Sequence, residues 1–172
     1  MVCNAHIRNA APGDEPLILQ LIREHAEHEQ LSHEVQTDAR RISAALFGSA
    51  PMAEVVIAEL QRDGLGFALF FPNYSTFLGR PGIFLDDLYV RPAARAQGIG
   101  RMLLAHVAKL ALERGCARVE WAVMQHNRAA TAFYCALGAQ PLQDWTVNRI
   151  SGAALIELAS GAPSSLGSSP AR

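Results

Sequence analysis

Two adjacent carboxylates, Asp86 and Asp87, interrupt the otherwise apolar run Ile83 to Val90. Carboxylates so placed attract a cation or accept a proton from one. Neighbouring strand residues point to opposite faces, so one acid can face a pocket while the other is solvated or paired. A polar strand end or a subunit contact is the plainer reading of the pair. A few residues on comes Arg95-Ala96-Gln97-Gly98-Ile99-Gly100-Arg101. Glycine lacks Cβ, so the backbone can turn sharply and approach a ligand there. A helix that starts here aims its unpaired N–H groups, and the positive end of its dipole, at whatever lies in front. Arg95 and Arg101 add charge of the same sign, which makes the stretch an anion site suited to a pyrophosphate. The plainer alternative is a helix start in which glycine only relieves strain. Two other phosphate loops are excluded. A P-loop needs Gly-Lys-Ser/Thr, whereas Arg101 and Met102 follow Gly100. A dinucleotide fingerprint needs a third glycine where Leu103 stands.

Further along, Tyr134 follows Asn127 by seven residues, about two helical turns, so both can share one side of a helix. A phenol there can protonate a leaving group, although the patterning by itself favours a core tyrosine beside Phe133. Near the start, His25, His28 and Glu29 share one helix face by their spacing. His-Ala-Glu-His-Glu is not a zinc-protease motif and no further ligand pattern joins it, so a solvated helix end is expected and no metal.

The elements that must carry these residues can be read in chain order. Ile7-Arg8 opens an edge strand, and a helix capped by Asp14 runs to about Gln30. A second helix starts at Thr37. Ala53 to Leu60 and Gly66 to Phe71 are strands joined at Gln61-Arg62-Asp63-Gly64, where Asp-Gly signals a hairpin. Pro72 to Gly82 reads as a loop holding Ser75 and Thr76, a usual place for substrate contacts. Ile83 to Val90 is a mostly buried strand that Pro92 ends. A long helix follows from Gly98, then a strand from Ala117 to Met124. A short helix capped by Asn127 ends at Gly138, and Gln140 to Ile150 is extended. The order predicts an α/β fold, a mixed sheet with helices on both faces, as one domain over residues 1–159. Residues 160–172 are Ser/Gly/Pro-rich and predict a disordered tail.

Composition narrows the class. A chain of 172 residues with net charge −1 carries no field to draw in nucleic acid. No apolar run approaches a membrane span, and the first residues lack the apolar centre of a secretory signal. Three cysteines, Cys3, Cys116 and Cys135, show no metal or redox spacing, which suits reduced thiols in a cytoplasm.

Arg95-x-x-Gly98-x-Gly100 resembles the acyl-CoA pyrophosphate loop of the GCN5-related N-acetyltransferases. Asn127-Arg-Ala-Ala-Thr-Ala-Phe133-Tyr134 with Ala136-Leu-Gly138 resembles that family's second cofactor segment. Three narrower matches are Ile22 to Glu29, Phe70 to Phe77 with Leu85 to Val90, and Asp144-Trp145. These resemble the diamine branch, the spermidine/spermine and thialysine acetyltransferases. The resemblance implies the same fold and an acetyl group moved from acetyl-CoA to the primary amine of a small cationic acceptor. It implies cofactor contacts at Leu88, Tyr89, Val90, Arg95, Ala96, Gln97, Gly98, Ile99, Gly100, Arg101, Asn127, Ala130 and Tyr134. The backbone of Leu88 to Val90 would hold the oxyanion, and Tyr134 would be the general acid. Amine contacts are implied at His28, Glu29, Ser75, Thr76, Asp86, Asp87, Glu120, Trp121 and Ala122. Asp86 stands where the branch has a glutamate, directly or through water the proton's destination. A homodimer with sites near its interface is also implied. Three departures are visible: Ala96 for a common glycine, Asp86 for glutamate, and Asn148 for an aromatic. A protein or aminoglycoside acceptor, or a non-catalytic acyl-CoA sensor, are the competing functions.

Overall fold

Four runs of alternating or continuous apolar residues build the antiparallel part of a five-stranded sheet. In the computed structural model these are β1 (His6–Asn9), β2 (Glu54–Leu60), β3 (Asp63–Ser75) and β4 (Arg80–Val90). They follow one another in spatial order, and β5 (Val119–Glu120) closes the sheet beside β4, parallel to it. The structure describes residues 4–161, so Cys3 and the tail from residue 162 on lie outside it. The chain parts into two compact units, Met1–Ala122 and Val123–Arg172.

In the first unit, helices α1 (Glu15–His28) and α2 (Ala39–Phe47) pack on one face of the sheet. Ile18, Leu21, Ile42 and Leu46 meet Val55, Ile57, Phe67 and Tyr89 there. Alternation puts Val56, Ala68, Phe70 and Leu85, all buried, on the opposite face. Helix α3 (Ile99–Glu113) packs against β3 and β4 and buries Ile99, Leu103 and Val107. The expected mixed sheet with helices on both faces is therefore present.

Several local expectations need correction. The tight turn between β2 and β3 is Gln61-Arg62, both left-handed at φ 51° and 70°, rather than Asp63-Gly64. Gly64 lies inside β3, where a Cβ would fall 2.8 Å from the Leu17 side chain. The loop expected over Pro72 to Gly82 is mostly strand: β3 runs to Ser75 and β4 starts at Arg80. Helix α2 starts at Ala39, because the Asp38 carboxylate caps it by accepting the Arg41 N–H at 2.8 Å. Asp14 does not cap α1 through its side chain, since Arg8 and the Ala11 N–H take its carboxylate. The strand expected from Ala117 to Met124 shrinks to β5, Val119–Glu120.

The second unit contains α4 (Arg128–Ala136) and α5 (Gly152–Ser160). Gln140 to Ile150 is irregular instead of a strand. Pro141 offers no N–H to a ladder, and every residue of that stretch is exposed, so its apolar side chains find no buried face. Ala153 to Leu158 form a helix that the sequence pattern did not announce, although Ala, Leu and Glu are strong helix formers.

Candidate functional site

Strand β4 does not pair evenly with β3. Leu85 stands opposite Phe70, but Asp87 stands opposite Leu69, so Asp86 is the extra residue of a β-bulge. A bulge kinks the strand and re-aims the side chains beyond it. Without it Asp87 would share a face with Leu85. With it Asp87 joins Tyr89 on the α1 side, while Asp86 is exposed. The two acids do differ in environment, but the bulge as well as simple alternation decides which way each faces.

The bulge also resets the backbone. Before it, the Ile83 N–H donates to the Arg118 carbonyl at 3.1 Å, on the β5 side. After it, the Arg91 N–H donates to the Leu65 carbonyl at 2.9 Å, on the β3 side. Alternation from Arg91 turns Tyr89 toward β3, and turns Leu88 and Val90 toward the other edge. β5 pairs with Ile83 and Phe84, so among the described residues that edge has no strand partner from Leu85 to Val90. The Val90 carbonyl there accepts a hydrogen bond from Arg95 Nε at 2.9 Å. The Leu88 N–H is thus directed into the notch that opens where β5 stops.

Directly beyond β4, Pro92 to Ala94 make a turn of 3-10 helix. Ala96 and Gly98 follow in left-handed conformations at φ 60° and 83°. Gly98 caps α3 without a side chain, so the first-turn N–H groups of Ile99, Gly100 and Arg101 face outward from a loop that carries Arg95 and Arg101. Arg95 also lies 5.8 Å from the Tyr89 ring centre, which links the loop to the cluster beneath α1.

That cluster centres on Tyr89. The His25 and His28 rings lie 5.5 and 6.5 Å from it, and His25 Nδ1 lies 3.3 Å from Asp87 Oδ1. Burial pushes the Tyr89 phenol above its ordinary range, with the Glu24 charge adding to the rise. His28 is exposed and Glu29 half-buried at the end of α1. Spacing along α1 singles out His25 without making it a site residue, because no pattern on the helix says which histidine meets the strand acid. Among the described residues no group of three or more His, Cys, Asp or Glu is placed to hold a metal.

Other expected amine contacts lie elsewhere or are already engaged. Ser75 is buried, and its hydroxyl accepts the Leu78 N–H at 3.2 Å, which shapes the β3–β4 turn. That turn, with Thr76, stands about six residues along β4 from Asp86, roughly 20 Å of strand. Glu120 accepts hydrogen bonds from Asn73 at 3.1 Å and pairs with Arg118 at 2.8 Å. Half-buried Trp121 and exposed Ala122 follow it. In the second unit, Asn127 Oδ1 caps α4 by accepting the Ala130 N–H at 3.0 Å. Half-buried Tyr134 lies seven residues on, its ring 5.0 Å from that of Phe133.

A notch beside a bulged strand, followed at once by an arginine- and glycine-bearing helix start, suits an acyl group on a long phosphorylated carrier. The sequence profile of the Acetyltransferase (GNAT) family matches residues 18–139. The chain belongs to the GNAT family. Among curated GNAT relatives, bovine (Bos taurus) thialysine N-epsilon-acetyltransferase is 40% identical over 164 residues, 89% of this chain and 96% of that one. The L-ornithine N5-acetyltransferase of Arabidopsis thaliana is 31% identical, over 88% of this chain and 86% of that one. Among solved structures, a Vibrio cholerae integron cassette protein superposes with a TM-score of 0.77 at 23% identity, covering 92% of this chain and 98% of its own. That likeness speaks for the GNAT fold alone. This GNAT chain is an acetyltransferase.

Proposed function

We propose that the enzyme moves an acetyl group from acetyl-CoA to a primary side-chain amine of a compact cationic acceptor, by direct attack in a ternary complex. Thialysine-like amino acids, ornithine and diamines form that class. The observation that carries the reading is the Leu88 N–H, aimed into the notch between the bulge at Asp86 and the helix start at Gly98. The residues present fit acetyl-CoA. The N–H groups of Ile99, Gly100 and Arg101, with Arg95, Ala96, Gln97 and Gly98, would cradle its pyrophosphate. Leu88, Tyr89 and Val90 would border its acyl end, and the Leu88 N–H would stabilise the developing oxyanion. When bound, acetyl-CoA supplies an activated thioester.

Asp86 and Asp87 would draw in and hold the ammonium, with His28 and Glu29 at the end of α1 beside them. Tyr134 would protonate the leaving thiolate. This assignment rests on the family resemblance and on its place two turns beyond the Asn127 cap of α4. We also propose a homodimer and a cytoplasmic setting. Support comes from the resemblance and from two free thiols, Cys116 and Cys135. No helix among the described residues is long and apolar enough to cross a membrane.

The test is incubation with acetyl-CoA and a panel of thialysine, ornithine, diamines, polyamines, aminoglycosides and a lysine-rich peptide, with product read by mass. Acetylation of one small amine is expected. Acetyl-CoA binding without product on any amine would mark a sensor.

A further inference from the structure

Resting on the transferase reading, the geometry assigns a specific proton acceptor: we propose that His25, oriented by Asp87, takes the proton from the acceptor ammonium. The strand bulge at Asp86 turns Asp87 toward α1. There its Oδ1 meets His25 Nδ1 at 3.3 Å. With the Nδ1 proton directed at that carboxylate, Nε2 carries the lone pair. The imidazole is held on a second side by the Tyr89 ring, 5.5 Å away and tilted by 30°. Tyr89 is itself packed into the α1–α2 core, so this support is rigid. His25 and Asp87 remain 23% and 27% exposed, which leaves the ring open to a ligand but shielded from bulk water.

Chemistry favours the ring over the acids. An imidazole is ordinarily a stronger base than an aspartate by about 2.6 pH units, roughly 400-fold. Asp86 and Asp87 are thus better suited to holding the cation than to removing its proton. Other charged groups lie around the ring. Glu24 on α1 is taken by Arg91 at the end of β4. Arg95 of the loop lies on Tyr89. Glu27 and His28 follow on α1 and Glu29 caps its end, and His33 pairs with Glu34 beyond it at 3.5 Å.

In the step, one ammonium N–H bond breaks and an Nε2–H bond forms. The freed nitrogen pair forms the C–N bond as the C–S bond breaks. The nitrogen's second proton replaces the one given to sulfur, and the His25 proton passes to solvent.

The test compares wild-type enzyme with His25→Asn, which retains a donor toward Asp87 but has no basic nitrogen. Ornithine and thialysine serve as acceptors, with a thermal melt and acetyl-CoA affinity measured alongside. Expected for the variant is a fall in kcat/KM for the amine of about 10²-fold or more at neutral pH. Acetyl-CoA affinity should hold, the acidic limb of the pH profile should move to higher pH, and added imidazole should restore part of the rate. A folded variant with the wild-type rate and pH profile overturns the proposal and leaves His25 a packing residue. If His25→Asn does not fold, His25→Gln is read in the same way. Wild-type enzyme that binds acetyl-CoA yet acetylates neither amine overturns the acceptor class first, a result distinct from failure of His25 alone.

Discussion

Arg91 donates two hydrogen bonds to Glu24, from Nε at 2.8 Å and from Nη2 at 2.9 Å. The pair ties helix α1 to the last turn of chain before the loop from Arg95 to Arg101, and both groups are half-buried. The hydrogen bond from Arg91 holds the Glu24 carboxyl below its ordinary range, against the opposing effect of burial. A carboxylate with a depressed folded value contributes fully above its unfolded value, and the contribution is lost as pH falls through the folded one. An unfolded glutamate titrates near 4.3, so this stabilisation should fade below about pH 5. Glu24→Gln should cost about 1–2 kcal/mol at neutral pH, the usual worth of charge-assisted hydrogen bonds. For a chain of this size that is a fall of about 2–8 °C in melting temperature. The gap between variant and wild type should narrow on acidification; a gap constant from pH 7 to pH 3 would show that the pair carries no proton linkage.

Ala96 sits at φ 60°, a conformation that suits glycine, immediately before the Gln97-Gly98 start of α3. An L-residue there carries a strain of about 1–2 kcal/mol. Ala96→Gly removes it but frees the unfolded chain, which costs about 0.4–1 kcal/mol. The net expectation is a gain of about 0.5–1 kcal/mol in thermal melts, with acetyl-CoA affinity retained. Ala96→Val should lower both, because a β-branched residue is worse at that φ. A glycine variant that melts below wild type would show that the alanine is held there by contacts worth more than the strain.

Strand identity and helix faces were legible because burial leaves a periodic trace: Ile99, Leu103 and Val107 announced α3, and Asn127 and Gly138 announced both ends of α4. The loop before α3, proposed to hold an anion, could be picked out because its glycines and arginines are adjacent in the chain. The bulge at Asp86 was not, since it is a mismatch between two strands and neither strand alone records it. The same limit hid His25, whose partner Asp87 lies 62 residues away. Gln140 to Ile150 misled because its apolar residues promise a buried strand and find no face to cover.

Gly66 faces β4 so closely that a Cβ would press into the Tyr89 carbonyl oxygen and come within 3.0 Å of the Val90 Cα. Both obstacles are backbone, so no side chain can move aside. Gly66→Ala should destabilise by about 1–3 kcal/mol, the cost of overpacking, and should shift the Leu88–Val90 edge. Melting temperature and the KM for acetyl-CoA should therefore worsen together. A stable Gly66→Ala variant with an unchanged KM would mean that the edge backbone can move without harm.

Tyr134→Phe removes only a hydroxyl from a half-buried ring packed on Phe133. If that phenol protonates the leaving thiolate, kcat should fall by about 10²-fold while acetyl-CoA affinity stays level. Isothermal titration and steady-state rates at several pH values read both. An unchanged kcat would assign the proton to another donor.

Asp86→Asn keeps the size of the side chain at the bulge and removes its charge. The bulge itself arises from strand pairing, so the notch should survive, with the Leu88 N–H still directed into it. A cationic acceptor loses a partner of opposite sign. A pair of charges near a protein surface is worth a few kcal/mol at contact before solvent screening, so KM for a diamine should rise by about 10-fold or more. KM for acetyl-CoA should not change, because in the proposed arrangement its anionic end would be held by the loop from Arg95 to Arg101. The contrast between a dicationic and a monocationic acceptor sharpens the reading: the doubly charged amine should lose more. Equal losses for both amines and for acetyl-CoA would place Asp86 in the architecture of the strand instead of at the acceptor.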